Sequence, residues 1–211
     1  KHGLLGPLGG FLIAALEEQA SHVRQARQRL GVVPVPRVAV PQRFLVELDE
    51  IVSGAVENHF ILRFGWIIGG ATHNLFSNVL GNLVLGGEKE VSRYRRGSPT
   101  WQDDGLRVLV AVVRQILAGA TNWGVFHYCS SDNCNEWEFG QEVLSTLSAV
   151  REPAGSIVAP PGKSSGEQSE PASSTLSCRK IRNNFGVQPR SWRQGLKANI
   201  EKWLEENAPA I

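Results

Sequence analysis

The chain has 211 residues, 42% hydrophobic and 20% charged, enough to build one sizeable core or a core and a lobe. Its 22 basic and 20 acidic residues are interleaved and leave a net charge of +2, so no basic face marks a nucleic-acid partner. No apolar run reaches membrane-spanning length and none reads as a secretory signal, so no membrane partner is expected. Three cysteines, Cys129, Cys134 and Cys178, suit a reduced, cytoplasmic protein. Cys129 and Cys134 are five apart, unlike the usual zinc pairs, and no metal site is expected.

In chain order, Gly3, Gly6 and Gly9 form G-x-x-G-x-x-G, with Leu5 inside the loop. The apolar stretch behind it predicts a helix from Phe11 to about Gln19. Glycines so spaced allow a tight turn and a close approach of backbone to a pyrophosphate over free helix amides. The alternative is a glycine-rich helix start with no ligand. Ala20–Leu30 predicts a basic amphipathic helix, and the proline-punctuated Val32–Val40 an edge strand or linker. Gln42–Glu57 carries Phe44, Leu45, Leu48, Ile51, Val52 and Val56 at helical spacing.

His59–Gly70, HFILRFGWIIGG, predicts a strand buried on both faces of a parallel sheet. Arg63 and Trp66 within it are odd for pure core, and ligands bind at the carboxyl ends of such strands. Helix Asn74–Leu85 follows, then a short strand over Lys89–Arg96. Thr100 suits the N-cap of a helix from Trp101 to about Ala118. That helix is apolar at Leu106, Leu109, Val110, Val113, Ile116 and Leu117. Gly124–Cys129 predicts a second buried strand, and Asn135 caps a helix to about Val150. Arg151–Ser174 is rich in Pro, Ser, Gly and Ala and reads as a flexible loop. Ser191–Glu206 predicts a last helix, with Trp192, Leu196, Ile200, Trp203 and Leu204 on its buried side.

The succession ILRFGWIIG, HNLFSNVL, RRGSPTWQDD, GVFHYCSSDNCNEWEFGQEVL and CRKIRNNFGVQPRSWRQGL resembles the dTDP-4-dehydrorhamnose reductase family, a sugar-nucleotide-binding branch of the extended short-chain dehydrogenases. The resemblance implies an α/β fold: a Rossmann-type parallel sheet with helices on both faces, plus a small carboxyl-terminal substrate lobe. It divides the chain into a nucleotide-binding part, 1–70, and a part over 71–211 that completes the sheet and forms the lobe. It implies that Gly3, Leu5, Gly6 and Gly9 hold NADP or NAD. It implies that Arg63, Trp66, Asn74 and Thr100 line or border the site of a nucleotide sugar, with Gly97, Pro99 and His127 nearby. For Arg63 a structural ion pair remains the alternative, for Trp66 and His127 a core position, and for Thr100 a helix cap.

The family's chemistry needs a Tyr-x-x-x-Lys pair, in which the lysine lowers the tyrosine pKa and the tyrosine passes a proton to the carbonyl as hydride arrives. In the register of Gln42–Glu57 those positions fall near Pro41 and Leu45, which cannot do it. Tyr94 and Tyr128, the two tyrosines, have Ser98 and Asp132 four residues on. No catalytic residue is therefore assigned. The chain also has no methionine and only 58 residues before the central strand. We expect residues to be missing before Lys1 and near Gln19–Ala20 and Val32–Pro36. Three functions remain open: a non-catalytic or regulatory homologue that binds NAD(P) or a nucleotide sugar, as a homodimer or with a partner enzyme; an active reductase whose pair lies outside this sequence; or a protein-interaction scaffold.

Overall fold

A computed structural model of the chain describes residues 12–14, 42–70, 73–162 and 173–207. The elements are β1 (Leu12–Ala14), α1 (Gln42–Ala55), β2 (Phe60–Phe64), β3 (Trp66–Ile68), α2 (Leu75–Leu85), β4 (Glu88–Glu90), β5 (Arg96–Gly97) and β6 (Pro99–Trp101). Then follow α3 (Gln102–Leu117), β7 (Gly124–Tyr128), β8 (Cys134–Asn135), α4 (Glu136–Ser148), β9 (Ser156–Val158), α5 (Arg179–Phe185), a 3-10 turn (Trp192–Gly195) and α6 (Leu196–Asn207). Among the described residues no helix is long and apolar enough to cross a membrane.

The fold is α/β with parallel strand pairs, and the chain forms two compact, interleaved units. The first contains β1, α1, β2, α3 from Val108 onward, β7 and α5. Its sheet has the order β1-β2-β7, all parallel, with Phe60 opposite Gly124 and Arg63 opposite His127. Parallel neighbours need a crossover, and α3 belongs to the one between β2 and β7. Val108 and Val112 of α3 are fully buried against Phe60, Leu62, Phe126, Tyr128, Ile181 and Phe185. Phe60 stacks on Phe126 at 4.8 Å, and both meet the edge of Phe185.

The second unit packs α2, α4 and α6 around Phe76, Leu80, Leu83, Phe139, Val143, Trp192 and Ile200. Three two-stranded pairs border this core: β3 with β6 and β4 with β9, both parallel, and β5 with β8, antiparallel.

Several expectations change. The stretch His59–Gly70 is two strands, not one: β2 belongs to the first unit and β3 to the second. The break is Gly65, where a Cβ would sit 2.5 Å from the Ser98 carbonyl oxygen and 2.8 Å from the Cys129 Cβ. Any side chain there would have to displace Ser98 or Cys129. Leu12–Ala14, expected within a helix, is a strand paired with Phe60–Leu62. The glycine loop at Gly3, Leu5, Gly6 and Gly9 lies outside the described residues, as do the elements expected over Ala20–Leu30 and Val32–Val40.

Lys89–Arg96 is a strand only at its start; a bent segment then carries the chain into β5. The loop expected over 151–174 contains β9, anchored by the buried Ile157. On α3 the fully buried positions are Val108 and Val112, whereas Leu106, Val110 and Leu117 are exposed. The final helix opens with a 3-10 turn.

Candidate functional site

In the first unit α1 and β2 bring a carboxylate to the arginine singled out by sequence. Arg63 donates from Nη2 to Asp49 Oδ2 at 2.5 Å, and both side chains are about one quarter exposed. Asp49 escaped the sequence reading, although it lies four residues after Leu45 and three before Val52, on the apolar stripe of its helix. A charge on that stripe signals a buried or half-buried partner.

His127 stands opposite Arg63 on β7. Burial is the chief cause that holds its imidazole below the usual histidine range. The Arg63 charge adds to this, Asp49 opposes it, and Lys180 lowers it further. The folded chain therefore disfavours the imidazolium. Stability from neutral His127 is fully present above the unfolded value of about 6.5 and is lost as pH falls below it toward the folded value. His127→Gln is expected to flatten the decline of Tm between about pH 7 and pH 5. An unchanged slope would place the proton uptake on another group.

The second unit holds Trp66, Asn74 and Thr100. Trp66 begins β3, and its indole lies over Gly97 of β5. Its backbone N–H donates to the Ser98 carbonyl at 3.1 Å. Thr100 sits inside β6, opposite Ile67, and not at a helix N-cap; α3 begins two residues later, at Gln102. Its fully buried hydroxyl donates to Ser98 O at 3.1 Å and accepts the Ser130 N–H at 3.3 Å. This pins β6 to the chain leaving β7. Ser98 and Ser130, both nearly fully buried, were not singled out by sequence because isolated serines carry no periodic signal.

Asn74 is the N-cap of α2. Its Oδ1 accepts the N–H of Phe76 and Ser77, while Ser77 Oγ accepts the Asn74 N–H, completing a capping box. Asn74 Nδ2 also donates to Gly69 O at 2.9 Å, so one side chain fixes both the helix start and the end of the β3 segment. The structure thus joins Trp66 and Thr100 through the β3–β6 pair, with Asn74 clasping the turn beyond β3. Arg63 belongs to the other unit.

Among the cysteines, burial pushes the Cys134 thiol up to about 12, so it stays protonated and is a poor nucleophile or ligand at neutral pH. Tyr128 is fully buried and Tyr94 is exposed.

The profile of the RmlD substrate binding domain family matches residues 43–205. The dTDP-4-dehydrorhamnose reductase of Aggregatibacter actinomycetemcomitans is 28% identical over 120 residues, covering 52% of this chain and 38% of that protein. The chain therefore spans well under half the length of that curated relative. A solved dTDP-4-dehydrorhamnose reductase from Clostridium acetobutylicum has a TM-score of 0.60 at 21% identity, over 74% of this chain and 53% of the other. The enzyme of the same name from Bacillus anthracis, solved in complex with NADP, has a TM-score of 0.56 at 19% identity, over 92% and 59%. These structural likenesses concern the fold, which is that of Rossmann-type reductases and dehydratases. With well over half of its length matched by the family profile, this chain belongs, as a divergent member, to the RmlD substrate binding domain family.

Proposed function

We propose that the protein binds a nucleotide sugar, together with NADP or NAD, without reducing the sugar. The observation that carries this reading is the sequence of α1, QRFLVELDEIVSGA, a complete helix with neither tyrosine nor lysine. Reducing a keto-sugar needs a proton at the carbonyl oxygen as well as the hydride that a reduced nicotinamide supplies. Neither described tyrosine can replace the missing phenol: Tyr128 is sealed in the core and Tyr94 has a serine four residues on. In place of an ammonium, α1 offers Asp49, a carboxylate held by Arg63.

In this reading Arg63, Trp66, Asn74 and Thr100 serve the nucleotide sugar, and the loop with Gly3, Leu5, Gly6 and Gly9 serves the dinucleotide. The protein acts as a homodimer or as the regulatory partner of an enzyme. That Cys129, Cys134 and Cys178 form no disulfide with one another supports a reducing compartment, the cytoplasm.

A second reading is favoured by length. This chain covers 38% of the curated relative, which leaves room for a catalytic pair outside the sequence and hence for an active NADPH-dependent dTDP-4-keto-6-deoxy-sugar reductase. Mixing the protein with NADPH and a dTDP-4-keto-6-deoxy sugar separates the two. We expect a thermal shift with the sugar nucleotide and no turnover. Ligand at 100 times its Kd stabilises by about 2.7 kcal/mol. Steady NADPH oxidation would overturn the non-catalytic reading in favour of the reductase. No shift with either ligand would leave the protein-interaction scaffold.

A further inference from the structure

We propose that the groove between α2 and α6 binds a neutral saccharide, with Trp203 as the platform for a sugar ring and Asn78, Asn82 and Asn207 as the partners of its hydroxyls. This goes beyond the nucleotide-sugar reading and does not depend on it.

The groove lies wholly within the second unit and encloses about 650 Å³. Small-molecule sites usually hold about 300–1,000 Å³. The sequence builds it by helical spacing. Asn78 and Asn82 are four apart on α2, and Trp203 and Asn207 are four apart on α6, so each pair shares one helix face. On α2 that face points away from the one that buries Val79, Leu80 and Leu83. Two glycines keep the groove open. A Cβ on Gly81 would meet Trp203 Cζ2 and Cη2 at 3.8 and 4.0 Å, so a longer side chain there would stand against the indole. A Cβ on Gly87 would come within 2.5 Å of Asn82 Oδ1 and cover that oxygen.

The chemistry of the lining selects the ligand. It holds one carboxylate, Glu206, one imidazole, His73, and neither arginine nor lysine. Phosphates and other anions are recognised by cationic forks and ammonium groups, so this lining does not suit them. The carboxamides are oriented by the helices that carry them. Asn82 Nδ2 donates to Asn78 O at 2.8 Å, and Asn207 Nδ2 donates to Trp203 O at 3.0 Å. Among the described residues each of these two side chains keeps Oδ1 as an acceptor. Asn78 is the converse: its Oδ1 stands 3.4 Å from His73 Nδ1, and it keeps Nδ2 as a donor. Trp203 is half-buried and packs against the core beneath, which holds its ring in place. Acceptors and a donor around a fixed aromatic ring complement a sugar. Its hydroxyls both donate and accept at the ring edge, while its C–H face is apolar and rests on the indole.

The test follows the Trp203 indole N–H resonance of the full chain by NMR, identified through its loss in W203F. The probes are D-glucose, D-galactose, N-acetylglucosamine, maltose, inorganic pyrophosphate and dTDP-glucose. At least one of the four neutral sugars is expected to shift that resonance saturably, and pyrophosphate is expected to leave it in place. Removing two hydrogen-bonding groups in N78A/N207A should weaken the bound sugar about tenfold or more. If that variant does not fold, N207A alone, at the exposed end of α6, should weaken it severalfold. Unchanged affinity in the folded variant would overturn the proposal, as would a resonance that none of the four sugars moves. The dTDP-glucose arm separates the two sources of a sugar ring. A Trp203 shift that saturates at lower dTDP-glucose than at any neutral sugar would assign the groove to the nucleotide sugar and end the proposal. Binding of dTDP-glucose elsewhere, with Trp203 still responding to a neutral sugar, supports two separate sites.

Discussion

Trp192→Ala is expected to cost the second unit about 3–5 kcal/mol, the range for emptying a buried aromatic site. Trp192 is fully buried, packs on Phe139 at 5.1 Å and carries the Arg193 guanidinium over its ring at 4.3 Å. Its backbone carbonyl accepts the Trp101 indole N–H at 2.7 Å, so the cavity would open beside a bond that ties β6 to the 3-10 turn. Trp192→Phe should behave differently. Among the described residues the buried Trp192 Nε1 has no hydrogen-bond partner, and such a donor costs the folded state about 1–3 kcal/mol. Phenylalanine removes that donor along with the lost ring atoms, so the two effects oppose each other. We expect W192F to lose less than half of what W192A loses, read as urea unfolding by circular dichroism. Equal losses would mean that the indole N–H is satisfied and the argument is wrong.

Sequence located most of the secondary structure but not the joints that make the candidate site. The helix after Asn135 was legible because Asn and Glu three apart form a capping box before an apolar run, and the structure has both halves of it. The parallel core was legible from FILRF and GVFHY, short apolar runs with turns on each side. The break at Gly65 was not. Apolar residues continue on both sides, and only the nearness of Ser98 and Cys129, distant in sequence, forbids a side chain there. β9 stayed hidden because a three-residue strand with one inward residue, Ile157, leaves no periodicity to detect. Thr100 read as a cap because Ser and Thr before a helix usually are, yet its hydroxyl is drawn to Ser98 and Ser130. Asp49 was present on an apolar stripe, but pairing it with Arg63 requires knowing that the fold brings this turn of α1 beside the end of β2.

Gly97→Ala is the sharpest test of how Trp66 is held. A Cβ on Gly97 would bring three ring atoms of Trp66 to within 2.6 Å, nearer than any real contact. The rigid indole has no flexible end to swing away. Gly97 itself is buried and fixed by its antiparallel pairing with Cys134, and Trp66 by its register with Pro99. Either the indole leaves its seat or β5 separates from β8. Overpacking of this kind costs about 1–3 kcal/mol, and two constrained strands place this case at the upper end. Trp66→Ala removes the obstacle, so G97A should be far better tolerated in that background, with a coupling energy of about 1–3 kcal/mol in the double-mutant cycle. The same displacement should weaken sugar-nucleotide binding in G97A if Trp66 serves the ligand, and W66A should weaken it comparably while G97A adds nothing further. Destabilisation without coupling to Trp66 would show that the strain is absorbed elsewhere. Full affinity in W66A would return the indole to a purely packing role.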